Sequence, residues 1–177
     1  AAATVHGRTV LQRYNGPSRW EFLKDVKQAF PNQTILGSGD LFTAPDCLRM
    51  LSETGVDGVT VARGAIGNPW IFEQTRALAG GLPLPPPPSL FRQRAVMQRH
   101  WMLAEQIYGE AHTGMLMRKF GIKYSTSHPQ AIDVRSAFAR VRSRDEWWAA
   151  LDRWYAEDQP SVYPSPESHR VQGSGCS

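Results

Sequence analysis

A chain of 177 residues, 41% hydrophobic and 20% charged, is long enough to bury a core and too short for a large multidomain assembly. Its modest net charge of +4 and ordinary apolar content exclude wholesale disorder and collagen-like repetition. No window approaches the roughly 18 uninterrupted apolar residues of a membrane-spanning helix, and the start, Ala1 to His6, has no signal-peptide character, so a cytoplasmic protein is expected. Cys47 and Cys176 lie far apart without a partner at metal-ligand spacing, so the expectation is two inert thiols, no disulfide framework and no metal.

In chain order, short β-type runs first alternate with helical ones. Ala2 to His6 reads as a strand, Ser18 to Phe30 as a helix, Thr34 to Gly37 as a strand, Ala44 to Thr54 as a helix and Gly58 to Ala62 as a strand. Ser18 with Glu21 and Thr43 with Asp46 have capping-box spacing, Asn68-Pro69 marks a further helix start, and Gly55 suits a C-cap. Such alternation predicts parallel βαβ units, and the unbroken apolar character of the strands predicts a sheet covered on both sides. A (β/α)8 barrel spends about 30 residues per strand-helix pair, so the first 80 residues hold about three pairs, a small open sheet or the last part of a barrel.

Residues 81–88, Gly-Leu-Pro-Leu-Pro-Pro-Pro-Pro, form a stiff spacer, and after it the pattern is all helical. Met97, Trp101, Ala104 and Tyr108 stripe one helix, Leu116, Phe120 and Tyr124 a second, and Val134, Phe138 and Val141 a third. Ser143 with Glu146 caps a fourth, striped by Trp147, Leu151 and Trp154, and the aromatics read as bundle core rather than a cofactor cage. From Gln159 to Ser177 apolar periodicity disappears and a disordered tail is expected.

Each strand ends in polar or glycine-rich residues: His6-Gly7-Arg8-Thr9, Ser38-Gly39-Asp40, and Arg63-Gly64-Ala65-Ile66-Gly67-Asn68. Ligands of parallel α/β proteins gather at that end. Glycines admit backbone N–H groups close to an anion and Arg63 adds a guanidinium, so the last two loops read as a phosphate cradle. Turn-forming glycines and a structural arginine are the plainer alternative, and His6 suits either a hydrogen-bonded structural role or a ligand contact. Between Arg118 and Arg144 seven cations, Arg118, Lys119, Lys123, Arg135, Arg140, Arg142 and Arg144, face one acid, Asp133, which suits a polyanion or a solvated helix face.

These residues resemble the flavin-dependent tRNA-dihydrouridine synthases, in particular the bacterial branch with a barrel and a C-terminal helical domain. The resemblance covers roughly residues 3–157. It rests on His6-Gly7-Arg8-Thr9 with Tyr14-Asn15-Gly16-Pro17 and Trp20, on Gly39-Asp40, on Asp57-Gly58-Val59, on Ala62-Arg63-Gly64-Ala65 with Gly67-Asn68-Pro69-Trp70-Ile71-Phe72, and on Arg118-Lys119. It implies a TIM barrel holding FMN, reduced by NADPH, that converts uridine in tRNA to 5,6-dihydrouridine. By motif, His6 would contact the flavin, Ser38, Gly39, Asp40, Ala62 and Arg63 would hold the FMN phosphate, and Arg118, Lys119 and Lys123 would contact tRNA. Residues 1–80 would be the C-terminal part of the barrel and residues 89–158 the tRNA-binding domain. Ser38 stands where the family usually has Asn, Ala62 where it usually has Gly, and Phe120 where it usually has His.

The family's catalytic cysteine, a flavin-contacting lysine and the glycine-rich start of its barrel lie upstream of the His-Gly-Arg element and are absent here. The resemblance therefore implies the C-terminal portion of such an enzyme, inactive by itself. A non-catalytic RNA-binding remnant and another phosphate-binding barrel enzyme are the competing expectations.

Overall fold

The computed structural model describes residues 1–13 and 15–165. They divide into two compact units, one of Ala1–Ala65 with Ile71–Pro85, the other of Ile66–Trp70 with Pro86–Ser165.

In the first unit, strands β1 (Ala2–His6), β2 (Thr34–Ser38) and β3 (Gly58–Thr60) form a parallel sheet in the order β1-β2-β3. Helices α1 (Trp20–Ala29), α2 (Ala44–Thr54) and α3 (Ile71–Ala79) complete it. Parallel strands need a crossover, and α1 and α2 are those crossovers. The strand pattern puts Val5, Ile35, Gly37 and Val59 on one face, against a core that includes Leu23, Cys47, Met50, Val56 and Ile71. At Gly37 the absence of a side chain is required, since a Cβ would fall 2.7 Å from the Met50 sulfur and 3.1 Å from Val56.

The other face departs from the expected double cover. Thr4, His6, Leu36, Ser38, Gly58 and Thr60 share it, and in β1 every residue except the half-buried Val5 is exposed. In β2 and β3 the residues of this face, Leu36, Ser38, Gly58 and Thr60, are half-buried. Strand β3 also ends two residues before its expected limit.

Local signals set the helix ends unequally. Thr43 Oγ1 accepts from the Asp46 N–H at 3.2 Å while an Asp46 carboxylate oxygen accepts from the Thr43 N–H at 3.0 Å, a full capping box, and Gly55 closes α2 at φ +73°. The box expected at Ser18 is absent: the N-cap of α1 is Arg19, with no side-chain cap bond. The reason is that Ser18 is drawn aside, its N–H donating to Asp40 at 2.8 Å. Helix α3 likewise begins at Ile71, two residues beyond the proline expected in its first turn.

The second unit packs α4 (Leu90–Tyr108), α5 (Glu110–Tyr124), α6 (Ala131–Phe138) and α7 (Arg144–Trp154) about one core. Trp101, Phe138, Trp147, Leu151 and Tyr155 are fully buried, with the Trp101 and Trp147 rings 5.2 Å apart, so these side chains fill the core as expected, whereas Tyr108 of the expected α4 stripe is exposed. The expected Leu116-Phe120-Tyr124 stripe faces the core, with Tyr124 buried and Leu116 and Phe120 partly so, but the most buried face of α5 lies beside it. That face runs through Thr113, Gly114, Met117, Gly121 and Tyr124, because two glycines admit neighbours more closely than large side chains can. A Cβ at Gly121 would fall 2.5 Å from the Phe138 ring, and one at Gly114 1.8 Å from the Arg142 carbonyl oxygen.

The chain after α7 differs from the expected disorder over residues 159–165. The Leu90 N–H donates to Gln159 O at 3.0 Å, the Val162 N–H to Ser127 O at 3.0 Å, and the Ser161 hydroxyl to Pro88 O at 2.5 Å. These carbonyls and amides satisfy one another across the start of α4, which apolar periodicity does not register. The rest of that expected tail lies outside the described residues.

Candidate functional site

The parallel register places His6, Ser38 and Thr60 side by side, one at the C-terminal end of each strand, on the partly exposed face. His6 Nδ1 and Ser38 Oγ are 3.2 Å apart. Beyond them the loop after β2 turns through two residues of positive φ, Gly39 at +132° and Asp40 at +54°. Glycine is obligatory at the first of these, where a Cβ would meet Ser18 Oγ at 2.1 Å, and the Trp20 indole N–H holds the Gly39 carbonyl at 3.0 Å.

The loop after β3 closes onto this turn. Its short 3-10 segment, Arg63–Ala65, brings Gly64 so near that a Cβ would lie 2.2 Å from Leu41 O. Arg63 thereby reaches Asp40, its Nη2 donating to Oδ1 at 3.1 Å, while its guanidinium lies 5.2 Å from the centroid of the Phe42 ring. Asp40 also accepts from Arg8 Nη2 and from the Ser18 N–H, both at 2.8 Å on Oδ2. All six residues read from the sequence, His6, Ser38, Gly39, Asp40, Ala62 and Arg63, line one depression of about 30 Å³. That is near one water's share of liquid volume, about 30 Å³, so these residues alone enclose no ring-sized ligand. They present instead a hydroxyl, an imidazole, a left-handed turn and a guanidinium, a donor set that fits the phosphate end of FMN.

Arg8 and Ser18 belong to this network, though the sequence marks Arg8 only as part of the His6–Thr9 element and Ser18 only as a helix cap. Arg8 also donates to Gly16 O at 2.7 Å, and its side chain is 6% exposed. No spacing rule could have found the pair, since Asp40 is 32 residues from Arg8 and 22 from Ser18.

The two glycines expected to shape the cradle have packing duties. Gly64 is fixed by Leu41, and Gly67, at φ +82°, would place a Cβ 2.5 Å from the Lys123 carbonyl. Cys47 sits in the core at 0% exposure, and burial pushes its thiol pKa up, so it offers no thiolate to the strand ends.

In the second unit, Lys119 and Lys123 stand one turn apart on α5, with Arg118 about 100° round the helix from Lys119. Lys119 is exposed, Arg118 and Lys123 half-buried, and the Lys119 ammonium lies 5.2 Å from the centroid of the Phe120 ring. The seven cations read as one patch are distributed over α5, α6, α7 and the α6–α7 connection, with Arg144 tied to Glu105 at 3.5 Å. Among the described residues there is no group of three His, Cys, Asp or Glu side chains able to hold a metal, and no helix is long and apolar enough to cross a membrane.

Comparison with known proteins bears on both units. The family model described as dihydrouridine synthase matches residues 1–158. A "Probable tRNA-dihydrouridine synthase" of Mycobacterium tuberculosis is 38% identical over 153 residues, 86% of this chain and 39% of that protein. Its counterpart in Mycobacterium leprae is 36% identical over 86% of this chain and 40% of its own length. "tRNA-dihydrouridine synthase B" of Xanthomonas campestris is 34% identical over 94% of this chain and 49% of that protein. The chain thus spans between two fifths and one half of the length of these curated relatives. With the match running from the first strand through the last helix, this chain belongs to the dihydrouridine synthase family.

Proposed function

We propose that this chain supplies the phosphate-holding strand ends and the tRNA-contacting helices of a tRNA-dihydrouridine synthase, and that its three strands are the closing part of a TIM barrel. The observation that carries the reading is the closure of the β2 and β3 loops on each other, which aims Arg63, the Gly39 turn and the His6–Ser38 pair into one depression. The partly exposed sheet face supports the barrel part, since interior-facing residues of a barrel are covered by other strands.

When bound, FMN reduced by NADPH would supply the hydride which, together with a proton from an acid, saturates the C5–C6 bond of uridine. Arg63 would neutralise the cofactor's phosphate, Ser38 Oγ and the amides of the Gly39 turn would donate to it, and Ala62 would keep its approach open for want of a longer side chain. His6, exposed at the end of β1, would contact the flavin. Asp40 takes part through its backbone and through Arg63, because a carboxylate set directly against a phosphate would repel it. Arg118, Lys119 and Lys123 bind the backbone phosphates of tRNA.

Cys47, buried in the core, is not placed to give a proton to a substrate at the strand ends. The test is FMN binding by the full chain, followed by quenching of flavin fluorescence, and retention of unmodified tRNA in a filter assay. Arg63→Met should weaken FMN binding at least about tenfold, the scale of one charge-assisted contact. FMN affinity equal in Arg63→Met and wild type would overturn the phosphate assignment.

A further inference from the structure

We propose that Arg8 is a positioning residue for Arg63, acting through Asp40, and that the Asp40 carboxylate changes arginine when an oxyanion engages Arg63. The inference rests on the reading of Arg63 as a phosphate ligand.

Arg8 is a buried cation, and only its Nη2 is used, shared between Gly16 O at 2.7 Å and Asp40 Oδ2 at 2.8 Å. Its Nε and Nη1 are shut off from solvent and have no hydrogen-bond partner among the described residues. Leaving such donors unmet is costly, so the arrangement calls for a reason.

The reason lies in how Asp40 is divided. Nε–H and one Nη2 hydrogen share an edge of the guanidinium, and a carboxylate ordinarily takes that edge with both oxygens. Asp40 gives Arg8 one oxygen, on Nη2, and leaves Nε without one. Its other oxygen, Oδ1, is 3.1 Å from Arg63 Nη2, and Arg63 is the more accessible arginine, 24% exposed against 6% for Arg8. The Ser18 N–H, bonded to Oδ2 at 2.8 Å, pins the shared oxygen in place, so the carboxylate can swing its Oδ1 about that anchor.

Before a ligand arrives, Asp40 holds Arg63 in the direction of the depression. Once a phosphate takes the Arg63 guanidinium, Oδ1 turns to Arg8 Nε and completes the two-oxygen pair there. The ion pair given up at Arg63 is replaced by one gained at Arg8, so orienting Arg63 beforehand does not oppose the ligand at full strength.

The experiment follows arginine Nε–H resonances in the full chain, labelled with nitrogen-15 and titrated with FMN and separately with inorganic phosphate. Arg8→Lys and Arg63→Met identify the two signals. The expected result is that the Arg63 and Arg8 resonances move together along one binding curve, with Arg8 Nε–H becoming slower to exchange. Arg8→Lys, which keeps the charge and lacks the second edge, should weaken FMN binding about tenfold. Movement of Arg63 with no movement of Arg8 overturns the exchange of partners and leaves the phosphate reading standing. A titration in which neither ligand moves Arg63 overturns both. Should Arg8→Lys fail to fold, the Arg8 Nε–H is assigned by correlating its side chain with its own backbone amide, and the wild-type titration still decides between these outcomes.

Discussion

Gly114 tests how closely α5 must approach its neighbours. In an exposed helix, alanine in place of glycine gains about 1 kcal/mol. At Gly114 the new Cβ would fall 1.8 Å from the carbonyl oxygen of Arg142, 2.4 Å from its carbon and 3.0 Å from the Ser143 nitrogen, all of them backbone atoms. Restoring an ordinary carbon–oxygen contact of about 3.3 Å needs a withdrawal of about 1.5 Å. That movement loosens Met117, which has no exposed surface, and shifts Ser143, the N-cap of α7. Overpacking of this kind costs about 3 kcal/mol, so Gly114→Ala should be destabilising by about 2 kcal/mol after the helix gain. Urea unfolding followed by tryptophan fluorescence reads this directly, because Trp101 and Trp147 are fully buried in the same core. Gly80→Ala is the control: its nearest neighbours would lie at 3.5 Å, and its effect should stay within about 0.5 kcal/mol. A midpoint for Gly114→Ala at or above that of the wild type would refute the reasoning.

Reversing charge at Arg118 and Lys119 together should weaken tRNA binding about tenfold and reduce the slope of log affinity against log salt by about 2, one for each lost phosphate contact; an unchanged slope removes α5 from the RNA contact. His128 donates from Nε2 to Trp154 O at 2.8 Å and accepts at Nδ1 from the Gln130 N–H at 3.0 Å, so it is neutral in the fold, and burial lowers its pKa. The unfolded chain then binds the extra proton, and stability should fall as pH drops below the unfolded value of about 6.5. His128→Gln should flatten the pH dependence of the urea midpoint between pH 8 and 5.5, and an unaltered slope would count against this. Asp57 is held below its usual pKa by the Lys27 ammonium and the Ile35 N–H, a contribution present above the unfolded value of about 3.9 and lost as pH falls through the lower folded one. Asp57→Asn should therefore lose stability at neutral pH and show a shallower acid limb; identical acid limbs would dismiss the pair.

What the sequence made legible was written in neighbours. Thr43 with Asp46 and Ser143 with Glu146 announce α2 and α7 because a capping box is complete within four residues. The six strand-end residues were legible for a related reason: parallel strands deliver their C-terminal ends to one place. The network behind them was hidden, because Arg8, Ser18, Asp40 and Arg63 meet through sheet register rather than spacing. Ser18 illustrates the conflict, with a cap signal overridden by an aspartate in another loop. On α5 the stripe of Leu116, Phe120 and Tyr124 was legible while the closest face was not, because close approach is encoded by Gly114 and Gly121, which leave no mark on an apolar stripe.

The return of the chain across the start of α4 sets what can be moved as a piece. Leu90 and Gln159 are hydrogen-bonded neighbours although 69 positions separate them, and Pro88 receives the Ser161 hydroxyl. Entry and exit of the helical segment thus lie side by side, the arrangement that tolerates insertion and permutation. A cassette from Pro86 to Ser165 could be grafted into a surface loop of an unrelated host by two closely spaced junctions, carrying its aromatic core except Trp70, which comes from the separate Ile66–Trp70 segment.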